Sequence, residues 1–170
     1  MKKFIFIAAI LLLLGCNVAA MDRSGRDTAS ASQDVADIQR VMDAFHHAVA
    51  THDGNGVSKL FLDRSSTWLT VLSDKAFAAA RVKNVSMQKV RVGSYKDFSA
   101  FVSSTKSDLD PRHTDVRIMS DGAVASVYFH FDFVIDGKVE NRGHETWQLV
   151  KTVDGWRIAA ISYSSNPGAA

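Results

Sequence analysis

The sequence predicts an α+β domain, with helices first and a sheet after them. Three observations carry this. Val35, Ile38, Val41, Met42, Phe45 and Val49 recur at the 3/4 spacing of one helical face. Ala123 to Ile135 alternates strictly, with Ala125, Val127, Phe129, Phe131 and Phe133 on one side. Asp121-Gly122, Asp136-Gly137 and Asp154-Gly155 then punctuate the last third into strands. Helices followed by a run of strands is the order of an α+β fold.

The chain begins Met1-Lys2-Lys3, then Phe4 to Leu14 without a charge, then small residues. This order matches the three regions of a bacterial secretory signal over residues 1–20. The apolar run is too short to span a hydrocarbon core, which needs about 20 residues. Val18-Ala19-Ala20 offers an ordinary cleavage site before Met21. Leu13-Leu14-Gly15-Cys16 offers a lipobox, which would end the signal at residue 15 and lipidate Cys16. Both stay open. Residues 21–32 are polar, small and aperiodic, and are expected to be a flexible linker. The folded domain is expected over 33–166.

Its first helix is expected near Ser32, with Ser30 and Gln33 as a capping box, and ends near His52. Asp53 is the N-cap candidate for a short second helix, Gly56 to Leu62. Ser65 to Leu72 is β-rich. Asp74 to Lys83 is alanine-rich and reads as a short helix, and Gln88 to Val92 as a short strand. Ser94, with Asp97 three residues on, starts a further helix that buries Phe98, Phe101 and Val102, and Asp110-Pro111 breaks it. Strands follow over Arg112–Met119, Ala123–Ile135, Lys138–Lys151 and Trp156–Ser164.

Register follows from the apolar face. A plain two-residue loop at Asp136-Gly137 would set Phe131 against Arg142, because a one-residue slip flips every side chain. A three-residue loop with its bulge pairs Phe133 with Val139, Val127 with Glu145 and Ala125 with Trp147, and keeps one face apolar. Glu145 then points into the helix-covered face, and His130, Asp132, Arg142 and His144 share the other.

The chain carries 20 Lys+Arg and 18 Asp+Glu. Loss of Lys2 and Lys3 with the signal would leave 18 against 18. A neutral domain gives no support for nucleic-acid or acidic-membrane binding, so a membrane is expected only through a lipid on Cys16. Cys16 is the one cysteine. A mature disulfide, a cysteine nucleophile and a cysteine-bound zinc are thereby excluded.

Three passages carry a resemblance. They are Ala44-Phe45-His46-His47-Ala48-Val49-Ala50-Thr51-His52-Asp53 running into Val57 to Phe61, then Gly143 to Lys151, then Asp154-Gly155-Trp156-Arg157-Ile158. With the element order, the chain resembles the nuclear-transport-factor-2-like (SnoaL-like) superfamily over about Gln33 to Asn166. The resemblance implies a cone: a curved antiparallel sheet wrapped around the N-terminal helices, with a cavity inside. The superfamily holds isomerases, dehydratases and cyclases beside non-catalytic binding domains, so the fold leaves function open. The isomerase-type set is not matched. The first helix has Phe45 and His46 but no tyrosine, and the first strand has Trp68 and Thr70 but no acid.

Glu145 is the sharpest candidate, because a carboxyl among aromatic rings would have a raised pKa and could act as acid or base. The competing expectation is a rim position, or an ion pair with Arg117 or Arg157. Glu145, Asn141, His46 and Thr70 are expected as polar groups of a pocket lined by Phe45, Trp68, Phe129, Phe131 and Trp147. No metal or other cofactor is expected, since adjacent His46 and His47 diverge by about 100° on a helix and no metal motif is present. The leading functional expectation is an exported domain, periplasmic, secreted or outer-membrane-anchored, that binds a small apolar ligand without catalysis and forms a homodimer through the sheet's outer face. The alternative is a small-molecule lyase, isomerase or cyclase using Glu145 or His46. An enzyme would need two titratable groups converging on one enclosed point.

Overall fold

The computed structural model describes residues 15–63 and 66–168. The apolar run Phe4 to Leu14 lies outside them. Among the described residues no helix is long and apolar enough to cross a membrane.

Four helices and six strands follow in the order α1 (Gly15–Ala50), α2 (Gly54–Lys59), β1 (Thr67–Leu72), α3 (Asp74–Lys83), β2 (Val90–Gly93), α4 (Tyr95–Ser104), β3 (Leu109–Ser120), β4 (Val124–Ile135), β5 (Lys138–Thr152) and β6 (Gly155–Ser165). The strands form one sheet in the order β2-β1-β6-β5-β4-β3. All pairings are antiparallel except β1 with β6, which is parallel. The curved, unclosed sheet and its helices make the expected cone.

The helix starts are written in side chains. Asp53 Oδ1 accepts from Gly56 N at 2.7 Å, and Ser94 Oγ accepts from Asp97 N at 3.1 Å. Ser73 caps α3 in the same way, accepting from Ala76 N. Each satisfies an amide that the first helical turn leaves unpaired. His52, at φ 60, takes the left-handed conformation that ends α1.

α1 already covers Gly15, the first described residue, well before the start expected near Ser32. No proline interrupts residues 15–33, so no missing N–H or ring clash breaks the helix there. On this helix Asp34 is buried and Val35 is exposed. Asp34 is charge-paired with Lys151 Nζ at 2.7 Å, which ties α1 to β5. Ile38, Met42, Phe45 and Val49 then bury against the inner sheet residues Val127, Phe129, Trp147, Leu149, Ile158 and Ile161. Each such side chain contributes about 1.5–3 kcal/mol through removal from water.

Two further expectations are corrected. Asp110-Pro111 does not end a helix; α4 stops at Ser104 and Pro111 lies within β3. β3 is an edge strand, where a missing N–H need not break a ladder. The β4–β5 register is also offset by two residues. Asp136 and Gly137 both have positive φ (49° and 77°) and make a two-residue turn, with Ile135 opposite Lys138. A bulge follows, so that Phe133 faces Asn141, Phe129 faces Glu145 and Val127 faces Trp147. The apolar face is kept as expected, because a bulge anywhere near the turn restores the same parity. Further irregularities fall between Thr114 and Arg117 on β3 and opposite Gln148–Leu149 on β6. Such bulges bend a sheet, and here they accompany its curvature.

Candidate functional site

A cavity of about 230 Å³ opens inside the cone. Apolar cavities of about 150 Å³ accept benzene, so this one has room for a substituted ring. Its walls are mostly aromatic: Phe45 from α1, Trp68 from β1, Phe98 and Phe101 from α4, Phe131 and Phe133 from β4. Phe45 stacks on Phe98 at 5.8 Å, and Trp68 meets Phe98 at 5.2 Å. Pro111 closes one side. Four side chains bring polar atoms: His113 from β3, Asn141 and Glu145 from β5, and Tyr163 from β6.

Glu145 faces Phe129 on one neighbouring strand and Tyr163 on the other. Its carboxyl accepts from the Trp147 indole N–H. Burial pushes its pKa up to about 7, against the lowering effect of that bond. Near neutral pH it is therefore shared between acid and carboxylate, as a proton-transfer group should be. The rim position and the arginine pair are not observed.

His113 sits among rings, 4.5 Å from Phe129 and 5.9 Å from Trp147, centroid to centroid. Its pKa is lowered to about 4, chiefly by burial and next by the positive potential of His46, with Asp43 opposing both. At neutral pH it is an uncharged imidazole.

Thr70 is buried and donates its hydroxyl to the Tyr163 hydroxyl oxygen at 2.8 Å. The Tyr163 proton is then free to point elsewhere. Asn141 Oδ1 accepts from Asn166 N at 2.9 Å and from Ser165 Oγ at 3.1 Å. Those donors occupy Oδ1 and fix the amide orientation.

Of the side chains expected at the pocket, Phe45, Trp68, Phe131, Asn141 and Glu145 line it. Trp147 stands behind Glu145, Phe129 behind His113, and Thr70 behind Tyr163. His46 is corrected: it is exposed and turned to β3, where Nδ1 donates to the Pro111 carbonyl at 2.8 Å and Nε2 lies 4.0 Å from Asp110. The helical turn that buries Phe45 directs the next residue away from the core. Sequence reasoning missed His113 and Tyr163. Both follow the inward alternation of their strands only once the bulges are known.

Among the described residues no group of three His, Cys, Asp or Glu side chains could hold a metal ion. A second hollow of about 480 Å³, lined by Met119, Asp121, Val124, Gln148 and others, has Asp121 as its only ionisable group. The N–H groups of Val124 and Ala123 hold that carboxyl below its usual range. It offers no acid–base pair.

No protein-family model and no curated protein matches the sequence. Solved structures do match in fold. A candidate dehydratase of the nuclear-transport-factor-2-like family from Streptomyces avermitilis superposes with TM-score 0.59 at 20% identity, covering 82% of this chain and 99% of that one. A candidate scytalone dehydratase from Novosphingobium aromaticivorans gives 0.61 at 12%, covering 82% and 88%. A nuclear-transport-factor-2-like protein of unknown function from Shewanella baltica gives 0.57 at 16%, covering 81% and 97%. Identities this low speak to architecture, and the architecture of this chain is the nuclear-transport-factor-2-like fold.

Proposed function

We propose that the cavity takes a small, planar, mainly apolar molecule and that Glu145 moves a proton on it, as a lyase or isomerase does. The observation that carries this reading is a carboxyl with a pKa near 7 in an aromatic cavity, with His113 on the same cavity wall. In its ionised form Glu145 removes a proton from a carbon next to a carbonyl. The Tyr163 hydroxyl and the Asn141 NH₂ are donors for the oxygen on which charge develops. The protonated Glu145 then returns the proton, to another carbon in an isomerase or to a departing hydroxyl in a lyase. Two of the structural neighbours are described as candidate dehydratases, which is compatible with the lyase form.

A second reading is binding without catalysis. It is favoured by His113, whose pKa of about 4 keeps it uncharged at neutral pH and gives Glu145 no second charge-carrying partner in that imidazole. One experiment separates the two. The protein is incubated with a panel of small cyclic ketones and enones in D₂O. Deuterium entering the carbon skeleton with wild type and not with Glu145→Gln supports proton transfer. Ligands that bind both proteins without exchange support the binding reading.

We also propose that the chain belongs to the SnoaL-like branch of the superfamily and is exported. The sequence supports two processing outcomes, release after Ala20 or lipidation at Cys16. Labelling with a palmitate analogue distinguishes them. A homodimer through the sheet's outer face, where exposed Tyr128 stacks on His144, is the proposed assembly, and a strictly monomeric native mass would overturn it.

A further inference from the structure

The near-neutral charge of the whole chain hides a strongly uneven distribution. Residues 74–93, covering α3, β2 and the loop between them, hold Lys75, Arg81, Lys83, Lys89 and Arg91 against Asp74 alone. The remainder of the chain is acidic, with 15 basic against 17 acidic residues. Asp74 is paired with Lys89. Arg81 lies over the Phe77 ring. Among the described residues no carboxylate pairs with Lys75, Arg81, Lys83 or Arg91.

The same segment exposes apolar side chains. Val82 is 87% exposed, Val92 82%, Val85 76% and Val90 51%. α3 has no buried residue, and all four residues of β2 are exposed at the sheet's outer edge. Charges on an edge strand guard against stray pairing, which accounts for Arg91. It accounts for neither the α3 lysines nor valines presented to water beside them.

We propose that the α3–β2 segment is a docking surface for an anionic lipid bilayer, with Lys75, Arg81 and Lys83 meeting the head groups and Val82, Val85, Val90 and Val92 entering the interfacial layer; Arg91, paired across the sheet with Thr70, lies on the opposite side of β2 from Val90 and Val92. Charge complementarity selects the occupant. A protein partner needs a complementary surface of about 800 Å² per side, and neither of the two hollows described above is lined by this segment. A bilayer needs only protruding cations interleaved with apolar groups. The assignment is independent of the chemistry at Glu145.

Hydrogen exchange on the full chain tests it, because the readout is local and is not confused by the apolar N-terminus. Vesicles of phosphatidylcholine mixed with phosphatidylglycerol should slow exchange across residues 75–92, and vesicles of phosphatidylcholine alone should not. Raised salt should reverse the protection. Each cation removed should weaken binding about fivefold, so Lys75→Glu/Arg81→Glu/Lys83→Glu should abolish the local protection. Equal protection on neutral vesicles, or no protection on anionic ones, overturns the proposal. Protection by polyglutamate but not by vesicles would point to an acidic protein, and protection that rises with protein concentration alone to a second copy. Either result also overturns it.

Discussion

The indole N–H of Trp147 donates to the carboxyl of Glu145, two residues earlier on the same face of β5. That bond favours the carboxylate and burial favours the acid; burial wins, with a pKa of about 7. Trp147→Phe removes the donor and keeps a ring in place. It should move the Glu145 titration upward, above that of wild type, in a carboxyl-detected NMR titration. A downward shift would mean that the indole is not what stabilises the charge.

Glu145 and His113 oppose each other in the pH dependence of stability. Glu145 rises from 4.5 to about 7 on folding, so its contribution is full below pH 4.5 and is lost as pH rises through 7. His113 falls from 6.5 to about 4, so its contribution is full above pH 6.5 and is lost as pH falls through 4. Each spans on the order of 3 kcal/mol. Between pH 4.5 and 6.5 the two slopes offset, and from these groups wild-type stability should be nearly level. Glu145→Gln should expose a rise in stability with pH over that window, and His113→Gln a fall. Urea denaturation across pH reads both, and parallel curves for the variants would contradict the assignment.

The Thr70–Tyr163 bond should be asymmetric in energy. Thr70 is buried, whereas the Tyr163 hydroxyl sits at the cavity wall. Tyr163→Phe leaves the Thr70 hydroxyl unpaired in the interior and should cost about 1–3 kcal/mol. Thr70→Val leaves Tyr163 able to use cavity water and should cost about 1 kcal/mol or less. The double variant should cost less than the sum. Denaturation midpoints of the three proteins check the order.

Gly143 allows β5 and β6 to approach below Glu145. A Cβ there would lie 2.0 Å from the Ser164 carbonyl oxygen, a backbone atom that cannot swing aside. Gly143→Ala should destabilise by about 2–3 kcal/mol and disturb the Glu145–Tyr163 pairing next to it. A denaturation midpoint within experimental error of wild type would show that the strands can separate at little cost.

Much of the fold was legible because period and punctuation agree locally. The 3/4 spacing of α1, the caps at Asp53 and Ser94, and the three Asp-Gly turns each have a short-range physical cause. The inward position of Glu145 was legible too, since one continuous apolar face admits a single parity. Bulges account for what was missed. On β3, Pro111 and His113 face the cavity, but after the irregularity at Asp115 the inward residue is Ile118, so the written alternation changes phase. On β6, Trp156 and Ile158 point inward at even positions and Ile161 and Tyr163 at odd ones, across the extra residue opposite Gln148–Leu149. Such a phase change comes from tertiary curvature and leaves little local mark. His46 misled for a different reason: its helical position borders the buried stripe without belonging to it.

The most direct test of the account is the ionisation of Glu145 itself. A site-specific carboxyl titration of the folded protein, assigned by its loss in Glu145→Gln, should show a midpoint near 7. A midpoint at the ordinary glutamate value near 4.5 would mean that the carboxyl is well solvated, and the proton-transfer reading of the cavity would fall with it.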